Sequence, residues 1–200
     1  MLSGLTLCFR CGHGAIDDPD ASRIYDETML LIDNEYSDLA DDISVMRINP
    51  VDQTLNALLT KARIAVQLST REGFEVKVSE ALHKGIPVIA TKAGGIPLQI
   101  KHGKNGYIVE AGDIYAVAKH LNDLLYNTKL YEQISGYAAR SISDEVGTVG
   151  NALCWLYLAT VMSKEEKILP NKRWINDMAR DYAEEPYTAK ENRLPRRIQN

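Results

Sequence analysis

The sequence predicts an α/β fold, a parallel sheet with helices on both faces. Short runs made almost wholly of apolar residues alternate with segments of helical periodicity, as buried parallel strands and their crossover helices do. Of 200 residues, 45% are apolar and 25% charged, ordinary values for a chain that buries a core. No apolar run approaches the ~20 residues of a membrane-spanning helix.

In chain order, residues 5–11 form a first strand that ends at Gly12 and Gly14. The acidic turn Asp17, Asp18, Pro19, Asp20 supplies start signals for a helix carrying Ile24, Leu31 and Ile32 on one side. Residues 43–48 (ISVMRI) read as a strand stopped by Asn49 and Pro50. Asp52 can cap a helix striped by Leu55, Leu58, Leu59 and Ala62. Residues 63–68 (RIAVQL) are the best candidate for a central strand.

A polar turn, Ser69, Thr70, Arg71, Glu72, Gly73, then leads into a helix over residues 74–84. Gly85 stands where a left-handed C-terminal cap is expected, with Pro87 just beyond. Residues 86–91 (IPVIAT) form the next buried strand, followed by a Gly94-Gly95 turn and Pro97. A short strand covers residues 106–110. Asp113 caps a helix that turns Ile114, Val117, Leu121, Leu124 and Leu125 inward. The chain then reads as helical from 128 to 162. Residues 163–200 are strongly charged, with Pro170, Pro186 and Pro195 and one helix over residues 174–182. The expected organisation is a sheet domain over 11–127, trailing helices over 128–162, and a partly loose charged extension over 163–200.

Composition narrows the function classes. A net charge of −4 lacks the concentrated basic face of a nucleic-acid binder. With no spanning segment and no basic lead before residues 2–9, the expectation is a cytoplasmic protein that binds neither nucleic acid nor membrane. Cys8, Cys11 and Cys154 are too few for a disulfide framework and suit a reducing compartment. Cys8 and Cys11 have metal-ligand spacing and His13 nearby, but no second pair follows to complete four ligands. Two small buried thiols on a strand are the expected reading, with no metal and no cofactor. There is no phosphate-binding P-loop, and Gly12-His13-Gly14 is only a fragment of a dinucleotide fingerprint.

In open parallel sheets ligands bind beyond the carboxyl ends of the strands. Two turns belong there, residues 69–74 and 92–97. The first runs into a helix N-terminus, where free N–H groups and the helix dipole favour an anion such as phosphate. Gly73, Gly94 and Gly95 allow close backbone approach. Glu72 and Glu80 could face one cleft and accept hydrogen bonds from sugar or ribose hydroxyls. Alternatively, Glu72 closes a capping box with Ser69, and Glu80 pairs with Lys84 on a solvated face. Arg71 and Lys77 read either as phosphate ligands or as surface charges.

The segment STREGFEVKVSEALHKGIPVIATKAGGIPLQI, residues 69–100, resembles the donor-site signature of retaining glycosyltransferases of family 4. Its E-x7-E pattern is met by Glu72 and Glu80, and the Pro-Val-Ile-Ala-Thr strand and Gly-Gly turn follow in place. Residues 12–22, 51–85 and 149–159 are similar to the fungal trehalose phosphorylase (trehalose synthase) branch of that family. The resemblance implies a Rossmann-like C-terminal half of a GT-B fold, with a helical extension behind it. It implies retaining transfer of glucose between trehalose and phosphate, giving glucose and α-glucose 1-phosphate without a metal. Such transfer is described as front-face substitution, in which positioning and electrostatics carry the rate.

By the same resemblance, Glu72 would hold donor-glucose hydroxyls, helped by backbone around Gly73 and Phe74. Residues 74–76, with Glu75 among them, would receive the phosphate, and Arg71 and Lys77 would lie beside it. Glu80 matches the position that holds ribose in nucleotide-sugar relatives. Gly94 and Gly95 would line the cleft. The family's basic Ser-Arg-Phe-Asp-like turn has no counterpart in these residues, and its acceptor domain lies outside them. The expectation is a donor-binding half with little turnover alone. A nucleotide-glucose-dependent synthase, or a non-catalytic binding module that forms homo-oligomers or docks to a full-length subunit, is the alternative.

Overall fold

The computed structural model describes residues 7–12, 21–48, 52–164, 167–169 and 171–196. The chain divides into two compact units, one up to residue 60 and one from residue 61 onward. In the first, β1 (Leu7–Gly12) pairs in parallel with β2 (Ile43–Ile48), from Leu7 opposite Ile43 to Gly12 opposite Ile48. The crossover is α1 (Ala21–Glu35), which buries Ile32. Then α2 (Asp52–Lys61) leads out of this unit. The side chains of Cys8, Cys11 and Asp52, together with His13 and the acidic turn at 17–20, lie outside the described residues.

The second unit holds a parallel three-stranded sheet in the order β3 (Ala65–Gln67), β4 (Val88–Thr91), β5 (Gly106–Val109). Ala65 lies opposite Val88, and Val88 opposite Gly106. All four β4 residues are buried, so both faces of that strand are covered. Within this sheet β4 is central, whereas β3 is an edge strand with Val66 exposed, contrary to the expectation for residues 63–68. The strand is also shorter than expected, because its ladder begins only where Ala65 N–H donates to the Pro87 carbonyl.

Between β3 and β4 lies α3 (Val76–His83), which buries Val78, Ala81 and Leu82. It starts two residues later than the sequence predicts. Glu75 has φ 59° and ψ 72°, a left-handed conformation that the helix cannot incorporate. Its end is as expected, with Gly85 at φ +74°. A single turn, α4 (Ile96–Gln99), follows β4, and α5 (Ile114–Tyr126) follows β5. Asp113 caps α5 by accepting from Ala116 N–H at 2.9 Å. Leu124 is fully buried against Ile89, Tyr107, Val109 and Ile134, with Val117 and Leu121 packed at the edge of that core. Ile114 lies on the exposed first turn instead of facing inward.

The helical run after residue 127 is two helices, α6 (Thr128–Ala138) and α7 (Thr148–Ser163). They are separated by a tight turn in which Ser143 Oγ accepts from Glu145 N–H. Then α8 (Ile175–Tyr182) packs on α7, where Asn176 meets Cys154 and Tyr157 meets Tyr182. Past α8 the chain returns to this turn. Leu194 N–H donates to the buried carboxylate of Glu145 at 2.7 Å, and Arg196 pairs with the same group. The Tyr187 ring lies between the guanidinium groups of Arg180 and Arg193, at 3.9 and 4.2 Å. Burial pushes its phenol up to about 12.

Candidate functional site

The turns after β3 and β4 meet at the carboxyl ends of adjacent strands, where the parallel topology places a ligand cleft. They are bonded to each other through backbone. Gly95 N–H donates to the Gly73 carbonyl at 2.6 Å. Gly94 sits at φ +50°, and a Cβ there would lie 2.3 Å from the Gly73 oxygen. A Cβ on Gly95 would lie 2.8 Å from the Phe74 ring, so that ring packs against the second turn. Thr91 Oγ1, at the end of β4, donates to the Ser69 carbonyl. Both glycines are therefore demanded by contact between the turns, whatever ligand they also serve.

Glu72 projects from the first turn and is half-buried. Gln67, the last residue of β3, donates from Nε2 to Glu72 Oε1 at 2.9 Å and to Ser69 Oγ at 2.9 Å. The Ser69 hydroxyl holds the Glu72 carboxyl below its ordinary value; burial opposes it, while bonds from Glu75 and Gln67 and the charge of Lys77 assist. A carboxylate held in this way is ionised at neutral pH and only accepts hydrogen bonds. It can take a ligand's hydroxyl groups with its remaining lone pairs. The capping-box alternative for Glu72 does not form, because the helix begins at Val76 and its N-cap is Glu75.

The side chain of Glu75 lies next to it, 8% exposed, on a residue that is half-buried as a whole. Its Oε1 lies 3.3 Å from Lys77 Nζ, within ion-pair range, and that oxygen has no hydrogen-bond partner among the described residues. Arg71 is exposed and forms no ion pair among them. Glu80 is exposed on α3; its carbonyl accepts from Lys84 N–H, but its carboxylate pairs with neither Glu72 nor Lys84 among the described residues, so the alternative surface pair is not formed. The structure thus brings Glu72, Gly73, Phe74, Glu75, Lys77, Gly94 and Gly95 together, while the exposed side chains of Arg71 and Glu80 bond to none of them.

Sequence reasoning missed the groups that hold this site. Gln67, Thr91 and Gln99 each interrupt an apolar run, and that interruption was the available signal. Gln99 is buried and reaches the Phe74 carbonyl, and Ser79 Oγ donates to its Oε1 at 2.6 Å. No group of three or more His, Cys, Asp or Glu among the described residues is arranged to hold a metal ion. None of the described helices is long and apolar enough to cross a membrane.

Residues 37–141 match the family model of the glycosyl transferases group 1. Trehalose phosphorylase of Pleurotus pulmonarius is 59% identical over 187 residues, which are 93% of this chain and 25% of that protein. Trehalose synthase of Pyrococcus horikoshii is 35% identical over 100 residues, 49% of this chain and 23% of that one. This chain spans about a quarter of the length of the curated relatives it matches. The structure of Anabaena HepE in complex with UDP superposes with a TM-score of 0.61 at 22% identity, over 78% of this chain and 41% of HepE.

Proposed function

Because the chain belongs to the group 1 glycosyl transferases, we propose that it carries the donor-binding half of a retaining glucosyl transfer between trehalose and phosphate. Its fold is the Rossmann-like C-terminal half of a GT-B glycosyltransferase. The reaction, trehalose plus phosphate to glucose plus α-glucose 1-phosphate and back, rests on the long similarity to trehalose phosphorylases. A reducing, cytoplasmic setting belongs to the same reading.

The observation that carries the reading is the ionised Glu72, held by Gln67 and Ser69 beside the N-terminus of α3. Glucose presents hydroxyls, which an ionised carboxylate accepts; hydrogen bonds to a charged group contribute about 1.5–3 kcal/mol each. The phosphate of the donor takes the first amides of α3, which have no intrahelical acceptor, and the positive end of the helix dipole. Lys77, the second residue of α3, adds a positive charge, and Arg71 can approach from outside. The Gly94-Gly95 turn closes the cleft without side chains. Glu72 positions the sugar and stabilises positive charge at its ring as the donor bond lengthens.

A second reading has a nucleotide-glucose donor. It is favoured by the exposed carboxylate of Glu80, which is unpaired among the described residues and available for ribose hydroxyls. Calorimetric titration of the 200-residue chain with α-glucose 1-phosphate and with UDP-glucose separates the two. Binding of α-glucose 1-phosphate well below millimolar, with UDP-glucose weaker, supports the phosphorylase reading. The reverse order replaces it.

A further inference from the structure

We infer that Gln99 is the positioning residue of this site: it locks Glu75 in its left-handed conformation and ties the turn after β3 to the turn after β4. The inference rests on the donor-site reading only in what the locked turns are for.

Left-handed backbone is disfavoured for residues with a Cβ, and here it falls on a glutamate at a helix start. The φ and ψ of Glu75 are set by the two peptide planes that flank its Cα. Their oxygens belong to Phe74 and Glu75, and one carboxamide reaches both. Gln99 Nε2 donates to the Phe74 carbonyl and lies 3.4 Å from the Glu75 carbonyl. The same nitrogen lies 3.4 Å from the Gly95 carbonyl, in the opposite turn. One buried amide thus gathers three carbonyls, two flanking the strained residue and one from the turn that packs on it.

The carboxamide is itself held in place. Its Oε1 accepts from Ser79 Oγ at 2.6 Å, and Ser79 stands on α3, the helix that Glu75 begins. The backbone carbonyl of Gln99 accepts from Asn105 Nδ2 at 3.1 Å. Asn105 is fully buried; its Nδ2 also donates to Ser141 Oγ at 2.9 Å, and its Oδ1 accepts from Lys101 N–H at 2.7 Å. A buried network with its members satisfied specifies a single geometry. Gln99 is 7% exposed, so it acts on the cleft through the turns.

The test uses the 200-residue chain with Gln99→Leu, Glu75→Gly and the double variant. Amide hydrogen exchange reads the lock without ligand, and titration with α-glucose 1-phosphate reads its consequence. With Gln99→Leu, exchange at residues 70–76 and 93–96 should accelerate about tenfold or more, while β4 and β5 change little. Binding should weaken about tenfold in the wild-type background and less than about threefold when residue 75 is glycine, which needs no lock. Uniform acceleration over the whole sheet, or equal losses in both backgrounds, overturns the inference. If Gln99→Leu fails to fold, Ser79→Ala must give the same regional pattern at smaller amplitude, and no regional change overturns it. If the wild-type chain binds no sugar phosphate while Gln99→Leu still accelerates exchange in those two turns alone, the donor-site reading fails and the lock stands.

Discussion

A Cβ built on Gly94 would sit 2.1 Å from the carbonyl oxygen of Glu72, so the second turn presses on the backbone of the first with no space for a side chain. The obstacle is backbone, which cannot swing aside, and Gly94 also has φ +50°. Gly94→Ala is therefore expected to destabilise the chain by about 2 kcal/mol or more. It should also abolish binding of α-glucose 1-phosphate. Urea denaturation and titration check both, and a variant with wild-type stability would show that the turns do not meet in this way.

Glu72 should matter to binding more than to folding. Glu72→Gln keeps the shape and removes the charge, which should weaken α-glucose 1-phosphate binding by about tenfold or more. Because Ser69 and the other donors hold its carboxyl below the ordinary value of 4.5, the folded chain binds that proton more weakly than the unfolded chain. The resulting stability is complete above pH 4.5 and is lost as the pH falls through the lowered folded value. The stability lost between pH 7 and pH 3.5, read from denaturation curves, should therefore be smaller for Glu72→Gln than for wild type. An identical acid dependence would refute the assignment.

His120 supplies a second, separate pH dependence. Its ring stacks on Tyr107 at 3.8 Å, with His102 at 5.9 Å. Burial, with the charges of Lys119 and His102, pushes it below 6.5 against the pull of Asp123 and Asp113. The folded state thus disfavours the imidazolium. This contribution is complete above pH 6.5 and shrinks as the pH falls below it. The melting temperature of His120→Gln should change less between pH 7.5 and pH 5.5 than that of wild type. NMR titration of the His120 ring should give a midpoint below 6.5, and a midpoint above it would contradict the packing described.

The turn between α6 and α7 depends on the C-terminal residues. Glu145 has 1% of its side chain exposed and takes Arg196, Leu194 N–H and Ser143 Oγ. Glu145→Ala removes the shared acceptor of Arg196, Leu194 N–H and Ser143 Oγ, leaves Arg196 its second partner Asp177, and should cost about 1.5–3 kcal/mol. Deleting residues 192–200 should cost a comparable amount by stranding the carboxylate. Urea titrations of both forms decide it; a loss under about 1 kcal/mol would mean that water already screens the pair.

Periodicity and turn chemistry made most elements legible. Asp113 caps α5, Gly85 ends α3, and residues 175–182 form the helix expected near Trp174, because each rests on interactions within a few residues. Glu75 was not legible as the helix boundary. A glutamate favours helix locally, and only Gln99, distant in sequence and adjacent in space, reverses its backbone. The central place of β4 was hidden for a similar reason, since residues 63–68 and 86–91 are about equally apolar.

The chemical content of the site was determined by the sequence: a carboxylate at residue 72, glycines at 73, 94 and 95, and a helix start just after. Those are properties of residue types and short spacings, and they carry over with the chain. Tertiary structure alone decided which carboxylates stand together. It set Glu75 beside Glu72 with no bond to Glu80, fixed Glu72 through Gln67, and bound the two turns through Gln99 and Thr91. Such pairings depend on strand register and on where buried polar groups find partners, and neither is fixed by neighbours along the chain.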